Sequence, residues 1–99
     1  MTQKVLWEKS GGLSNGMTAT LNDTLDNYDE IILIGKISIS GNTAVEVKRL
    51  PVSILIDSKF LKTAFFLSVP GCTYHGDKTK LTLITGTACA YYEIIGIKY

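Results

Sequence analysis

The sequence predicts an all-β protein: an antiparallel β-sandwich, jelly-roll-like, of about seven to nine short strands. Three observations predict it. Apolar and polar residues alternate with period two in several short runs. Turn residues interrupt the chain at spacings of about ten residues. No run longer than a single turn has helical periodicity. The 99 residues make one domain, 1–99, with no internal repeat, low-complexity tract or linker.

Taken in order, Lys4-Val5-Leu6-Trp7-Glu8 reads as a first strand with Val5 and Trp7 inward. Ser10 to Gly16 is a Gly/Ser/Asn loop, rich in residues that tolerate positive φ. Met17-Thr18-Ala19-Thr20-Leu21 alternates cleanly and is a half-buried strand, its two threonines outward. Asn22 to Asn27 is a turn with room for one helical turn capped by Asn22 or Asp23, and Leu25 and Tyr28 close the end of the core.

The long strand from Asp29 to Ile39 organises the rest. Ile31, Leu33, Ile37 and Ile39 share a face that is apolar from end to end. The opposite face carries Ile32 and Ile34, then Lys36, Ser38 and Ser40. A sheet in water shows one dry and one wet face, so Ile32 and Ile34 need cover, from a loop of this chain or from a neighbouring copy.

After the Ser40-Gly41-Asn42-Thr43 loop, residues 43–48 alternate again, with Val45 and Val47 expected inside and Glu46 and Lys48 outside. Pro51 weakens pairing or marks an edge. Residues 52–56 suit a strand extension or a connection, and 57–62 suit a helical turn or a loop. Thr63 to Val69 has strand composition, Pro70-Gly71 ends it, and a short strand piece covers Thr73 to His75. Thr79 to Thr85 is a strand with Leu81 and Leu83 inward, and Ala88 to Tyr99 is the last strand. Adjacent Tyr91 and Tyr92 point to opposite faces of it, so one of them lies outside the core, in a subunit contact or a binding surface.

Composition excludes several classes of function. The net charge is +1, with lysines and arginines scattered rather than clustered, which argues against a phosphate-binding footprint for nucleic acid. No apolar run approaches the ~20 residues of a membrane span, and the N-terminus lacks the pattern of a signal peptide. Cys72, His75 and Cys89 supply three metal ligands at most, short of the four a structural zinc needs. No metal or other cofactor is expected. Reduced free thiols are the expectation for a chain made in a cytoplasm, with a Cys72–Cys89 disulfide left open.

No catalytic motif is present: no nucleophile elbow, phosphate loop or H-E-x-x-H. Ser68, His75 and Asp77 could be drawn as a triad, but their spacing does not favour it. Asp29 and Glu30 point to opposite faces of a strand, wrong for a shared acid–base pair. Asp26, Asp29 and Glu30 read as turn and strand-start residues rather than a calcium site. An enzyme is therefore not expected. Aromatic rings offer flat apolar faces with polar handles, so Tyr74, His75, Tyr91, Tyr92 and Tyr99, with Trp7, are candidates to stack on sugars, Tyr74 and His75 foremost as ligand contacts, against the plainer reading that Trp7, Tyr28 and Tyr92 are core and the rest rim. Ile32, Ile34 and Tyr91 are the candidate interface.

Three pieces of the chain carry a resemblance: Val5-Leu6-Trp7-Glu8 before a Gly/Ser loop; Thr18-Ala19-Thr20-Leu21 leading through Asp23-Thr24-Leu25 to Asn27-Tyr28-Asp29-Glu30-Ile31-Ile32; and the closing Glu93-Ile94-Ile95-Gly96-Ile97-Lys98-Tyr99. Together they resemble small β-sandwich domains of tail fibre, baseplate and other accessory virion proteins of tailed bacteriophages. Residues 36–79 carry no matching motif. The resemblance implies a non-enzymatic virion protein, made in the host cytoplasm. It implies a homotrimer on the tail or capsid that touches a neighbouring virion protein or the host surface. It supplies no catalytic residues. Since Met1 stands almost directly on the first strand, a separate small gene product is expected, such as a head decoration, head fibre or tail accessory subunit.

Overall fold

A computed structural model describes residues 1–11, 15–66, 70–85 and 89–99, with the backbone alone at Ile39, Cys89, Ala90 and Tyr91. Among these residues lie eight strands: β1 (Thr2–Ser10), β2 (Thr18–Thr20), β3 (Glu30–Ile39), β4 (Asn42–Pro51), β5 (Ala64–Phe65), β6 (Gly71–Thr73), β7 (Lys80–Ile84) and β8 (Cys89–Lys98). They form two four-stranded sheets, ordered β1-β8-β3-β4 and β2-β7-β6-β5, and every described pairing is antiparallel. Buried side chains from both sheets form one core cluster, so the fold is an all-β sandwich. Pairing of first strand with last, and second with next-to-last, gives it the jelly-roll-like winding. β3–β4 and β5-β6-β7 are plain up-and-down connections.

The alternation predicts the core well where the strand is regular. Ile31 and Leu33 of β3, Leu81 and Leu83 of β7, and Ala19 of β2 are fully buried, and Thr18 and Thr20 are exposed. Leu25 and Tyr28 close one end of the core, as expected. The helical turn there is a 3-10 turn, Leu25–Asn27, with Thr24 rather than Asn22 or Asp23 at its N-cap and no side-chain cap bond. The Asp23 carboxylate instead ties the loop together, accepting from Thr24 N, Asn27 Nδ2 and the Tyr28 hydroxyl.

Two strands depart from the expected facing. In β1 the register slips between Val5 and Trp7, a bulge that leaves Leu6 as the extra residue. Leu6 is fully buried, Trp7 still packs on the core, and Val5, expected inside, is 39% exposed. In β4 the expected facing is inverted. Ser40 and Gly41, at φ 50 and 81, form the two-residue turn with positive φ at both positions that hairpins favour, and Ile39 pairs with Asn42. Counting back from that turn sets Val47 opposite Ile34 and Lys48 opposite Leu33. Directly opposed residues share a face, so Val45 and Val47 point away from the core, 58% and 59% exposed. Glu46 and Lys48 turn toward it and are half-buried. The Lys48 ammonium lies 6.0 Å from the centroid of the Phe66 ring.

The connections are shorter than sequence periodicity can register. Val52–Leu55 is a single α-helical turn, α1, following Pro51, which is the last residue of edge strand β4. Residues 57–62 hold a 3-10 turn, Ser58–Phe60, capped by the Asp57 side chain on Lys59 N. The expected strand over 63–69 reduces to β5, with residues 67–69 outside the described part.

Candidate functional site

The long sheet has strands of 9 or 10 residues, and the other sheet's strands have 2 to 5. One face of the long sheet packs on the core. Its outer face can be laid out row by row from the strand registers, in the order β1, β8, β3, β4. The first row is Gln3, Ile97, Glu30, Pro51; the second is Val5, Ile95, Ile32, Arg49; the third is Glu8, Glu93, Ile34, Val47; the fourth is Ser10, Tyr91, Lys36, Val45. The apolar residues do not fill a row. Six of them form a stripe that crosses the sheet diagonally, from Val5 through Ile95, Ile32, Ile34 and Val47 to Val45, with Ile97 and Pro51 off it in the first row.

Ile32, Ile34 and Ile95 are half-buried, and the valines at the stripe's ends are exposed. Ile97 lies beside the stripe in the first row and is 1% exposed. Single exposed apolar residues need no explanation; here three exposed valines join three half-buried isoleucines in one band.

Charge flanks the stripe on both sides. On one side Arg49 grips Glu30 with both ends of its guanidinium, Nε to Oε2 at 2.5 Å and Nη2 to Oε1 at 3.2 Å, and the Tyr99 hydroxyl joins both side chains. The Arg49 hydrogen bond, then that of Tyr99, holds the Glu30 carboxyl below its ordinary value. The Tyr99 backbone N–H, then Lys98, does the same for neighbouring Asp29. These pairs are open to water and add little stability; their effect is to fix the direction of the arginine fork. On the other side stand Glu8, Glu93 and Lys36.

Of the residues singled out from sequence, Ile32 and Ile34 are the middle of the stripe. Tyr91 belongs to the fourth row by its backbone pairing with Ser10 and Lys36, and its side chain lies outside the described residues. Tyr74 is corrected: it is 4% exposed and part of the core cluster, so its ring offers no face to a sugar. His75 is exposed and, with Thr18, Asp77, Lys80, Leu81 and Thr82, lines a shallow hollow of about 300 Å³. Asp77 is held by its own turn, accepting from Thr79 N and Oγ1, and Ser68 lies outside the described residues. Cys72 is a free, buried thiol, pushed up to about 12 by burial against a smaller opposing effect of Lys48, which suits packing rather than chemistry. The Cys89 side chain lies outside the described residues. Among the described residues no three His, Cys, Asp or Glu side chains are grouped to hold a metal, and no helix is long and apolar enough to cross a membrane.

Val5, Ile95, Val45 and Val47 are the stripe residues that sequence reasoning missed. The signal that finds the β4 pair is the two-residue Ser40-Gly41 turn, since fixing it fixes which residues face Ile34 and Lys36. Comparison with protein-family models finds no match, and comparison with curated proteins finds none. The fold and this face define a small β-sandwich with an apolar outer sheet.

Proposed function

We propose that this chain is a non-enzymatic structural protein of a tailed-phage particle, a small β-sandwich that self-associates through the outer face of its long sheet and attaches to another virion protein on tail or capsid. The observation that carries the reading is the diagonal apolar stripe. A domain this small spends scarce apolar residues inward, yet six of them line the outer face of the long sheet, with Val5, Val45 and Val47 exposed. The sequence resemblance supplies the phage setting and points to three copies. Mass spectrometry of purified particles tests it. The wild-type chain is expected in the particle and an Ile34→Lys variant is expected to be lost from it. A wild-type chain made in infected cells but absent from particles would overturn the reading.

A second reading, a glycan- or receptor-binding module, is favoured by the hollow beside His75. Binding on a glycan array that disappears in His75→Ala, with particle incorporation intact, would establish it; silence on the array removes it.

A further inference from the structure

We infer that the free edge of β4 takes a second copy of this chain: two β4 strands pair antiparallel about a two-fold axis at Val47, joining two four-stranded sheets into one. The inference stands on the edge of the long sheet rather than on its outer face, and goes beyond the reading above.

β4 is the last strand of its sheet, runs Asn42–Pro51 and pairs with β3 without a register break. A two-residue turn closes on a hydrogen-bonded pair, here Ile39 and Asn42. Bonded and non-bonded pairs then alternate, so Ala44, Glu46, Lys48 and Leu50 bond to β3 as Asn42 does. The 2.9 Å bond from the Val52 N–H to the Asp29 carbonyl keeps that phase. Thr43, Val45, Val47 and Arg49 therefore turn their backbone N–H and C=O groups to the free edge. Pro51, which has no N–H, falls in the same series, the place a sheet proline takes. Among the described residues no hydrogen bond meets these four backbones from beyond the sheet. Such a row is a template for another strand.

The other edges are occupied or short. β1 is broken by the bulge at Leu6, and Asn22 already donates to its Val5 and Leu6 carbonyls, at 3.1 and 2.9 Å. β2 and β5, the edges of the short sheet, have 3 and 2 residues. A chain that pairs by an edge therefore sets β4 on β4, an isologous contact that closes at two copies instead of running on as a filament.

Charge sets the register, because directly opposed residues share a face. An axis at Glu46, Lys48 or Arg49 sets like charge on like. An axis at Val45 leaves Arg49 beyond the overlap. An axis at Val47 overlaps residues 43–51 of both copies and sets Glu46 of each opposite Lys48 of the other, once on either side of the axis. Both side chains are half-buried. Among the described residues neither has an ion pair within its own chain, and the Lys48 ammonium stands over the Phe66 ring. Arg49 keeps its grip on Glu30 and comes beside Val45 of the other copy. On the outer face the apolar stripe of one copy runs on through Val47 into that of the other, which covers flanks of the exposed Val45 and Val47.

The contact is one strand wide and roughly 30 Å long, so it belongs with the small, weak interfaces. Pairing is expected at micromolar concentrations rather than below.

Amide hydrogen exchange, read by NMR at rising concentrations of the wild-type chain, tests the inference. The N–H groups of Val45, Val47 and Arg49 are expected to slow about tenfold as copies pair, and by more than those of Ala44 and Glu46, which bond to β3 in either state. Exchange at the three that does not change with concentration would overturn the inference. Sedimentation of charge variants gives an independent reading. Lys48→Glu and Glu46→Lys are each expected to weaken pairing about tenfold, and the two changes in one chain to restore it. Single variants that pair as wild type does would overturn the inference. Ile34→Lys lies on the outer face, clear of the edge, and separates the two readings. Edge amides that still slow in Ile34→Lys support the edge pairing even where the face reading fails. An oligomer lost in Ile34→Lys but intact in Lys48→Glu overturns the edge pairing and leaves the face reading standing.

Discussion

The Tyr92 hydroxyl donates a 2.8 Å hydrogen bond to the Gly71 carbonyl, joining β8 of the long sheet to β6 of the short one through the middle of the core. Tyr92 is fully buried, with Trp7 edge-on to it at 6.1 Å. A tyrosine is tolerated at so dry a position because its one polar atom finds a partner there. Tyr92→Phe leaves the ring and removes the donor, so the cost is that of a stranded carbonyl, about 1 to 2 kcal/mol. Denaturant unfolding should show it as a lower midpoint at unchanged slope.

A second close approach lies at the end of the core. A Cβ built on Gly96 would stand 2.6 Å from Cδ1 of Tyr28. The ring cannot swing away cheaply, because its hydroxyl is tied to Asp23 at 2.7 Å and its backbone N–H to Leu25 O. Gly96→Ala should therefore cost about 2 to 3 kcal/mol as overpacking. A Tyr28→Ala change in the Gly96→Ala background should recover part of that loss, since it removes the clashing ring, and calorimetric melting of the three variants checks the coupling.

The same Tyr28–Asp23 bond gives stability a pH dependence at both ends of the scale. It is the largest of the effects holding the Asp23 carboxyl below its ordinary 3.8. A depressed carboxylate stabilises above its unfolded pKa, and that contribution is lost as pH falls through the folded value. The stability gap between wild type and Tyr28→Phe should thus be open at neutral pH and narrow as pH drops below about 3.8. At the alkaline end burial, then Asp23, pushes the Tyr28 phenol up to about 12 from 10.0. That stability is complete below the unfolded value of 10.0 and drains away as pH rises toward 12. Tyr28→Phe should lack this alkaline loss. Chemical denaturation across pH reads both limbs.

Much of the fold was legible because period-two alternation reports a strand directly. β2, β3 and β7 have the inward residues their pattern predicts, Ala19, Ile31, Leu33, Leu81 and Leu83. Alternation says that two faces differ but not which is inside, and β4 shows the consequence. Val45 and Val47 are the greasier set, yet the Ser40-Gly41 turn and the pairing with β3 send them outward. β1 misled for another reason, since a bulge at Leu6 breaks the parity that placed Val5 inside. The single turns at Val52–Leu55 and Ser58–Phe60 are too short for any helical period to appear. The centre of the candidate site, Ile32 and Ile34, was visible as apolar residues on the wrong face of a strand. The stripe was not, because it is assembled from four strands and exists only once their registers are known. Tyr74 was misjudged because composition alone cannot tell a ring that plugs a core from one that faces water.

The central claim is that the outer face of the long sheet binds copies of this chain. Sedimentation velocity of wild type beside Val47→Lys tests it most directly, because Val47 is 59% exposed and its replacement should change unfolding stability by no more than about 0.5 kcal/mol. Wild type should sediment as an oligomer at tens of micromolar, and Val47→Lys as a folded monomer at the same concentration. A monomeric wild type, or a variant that assembles as well as wild type does, would contradict the account.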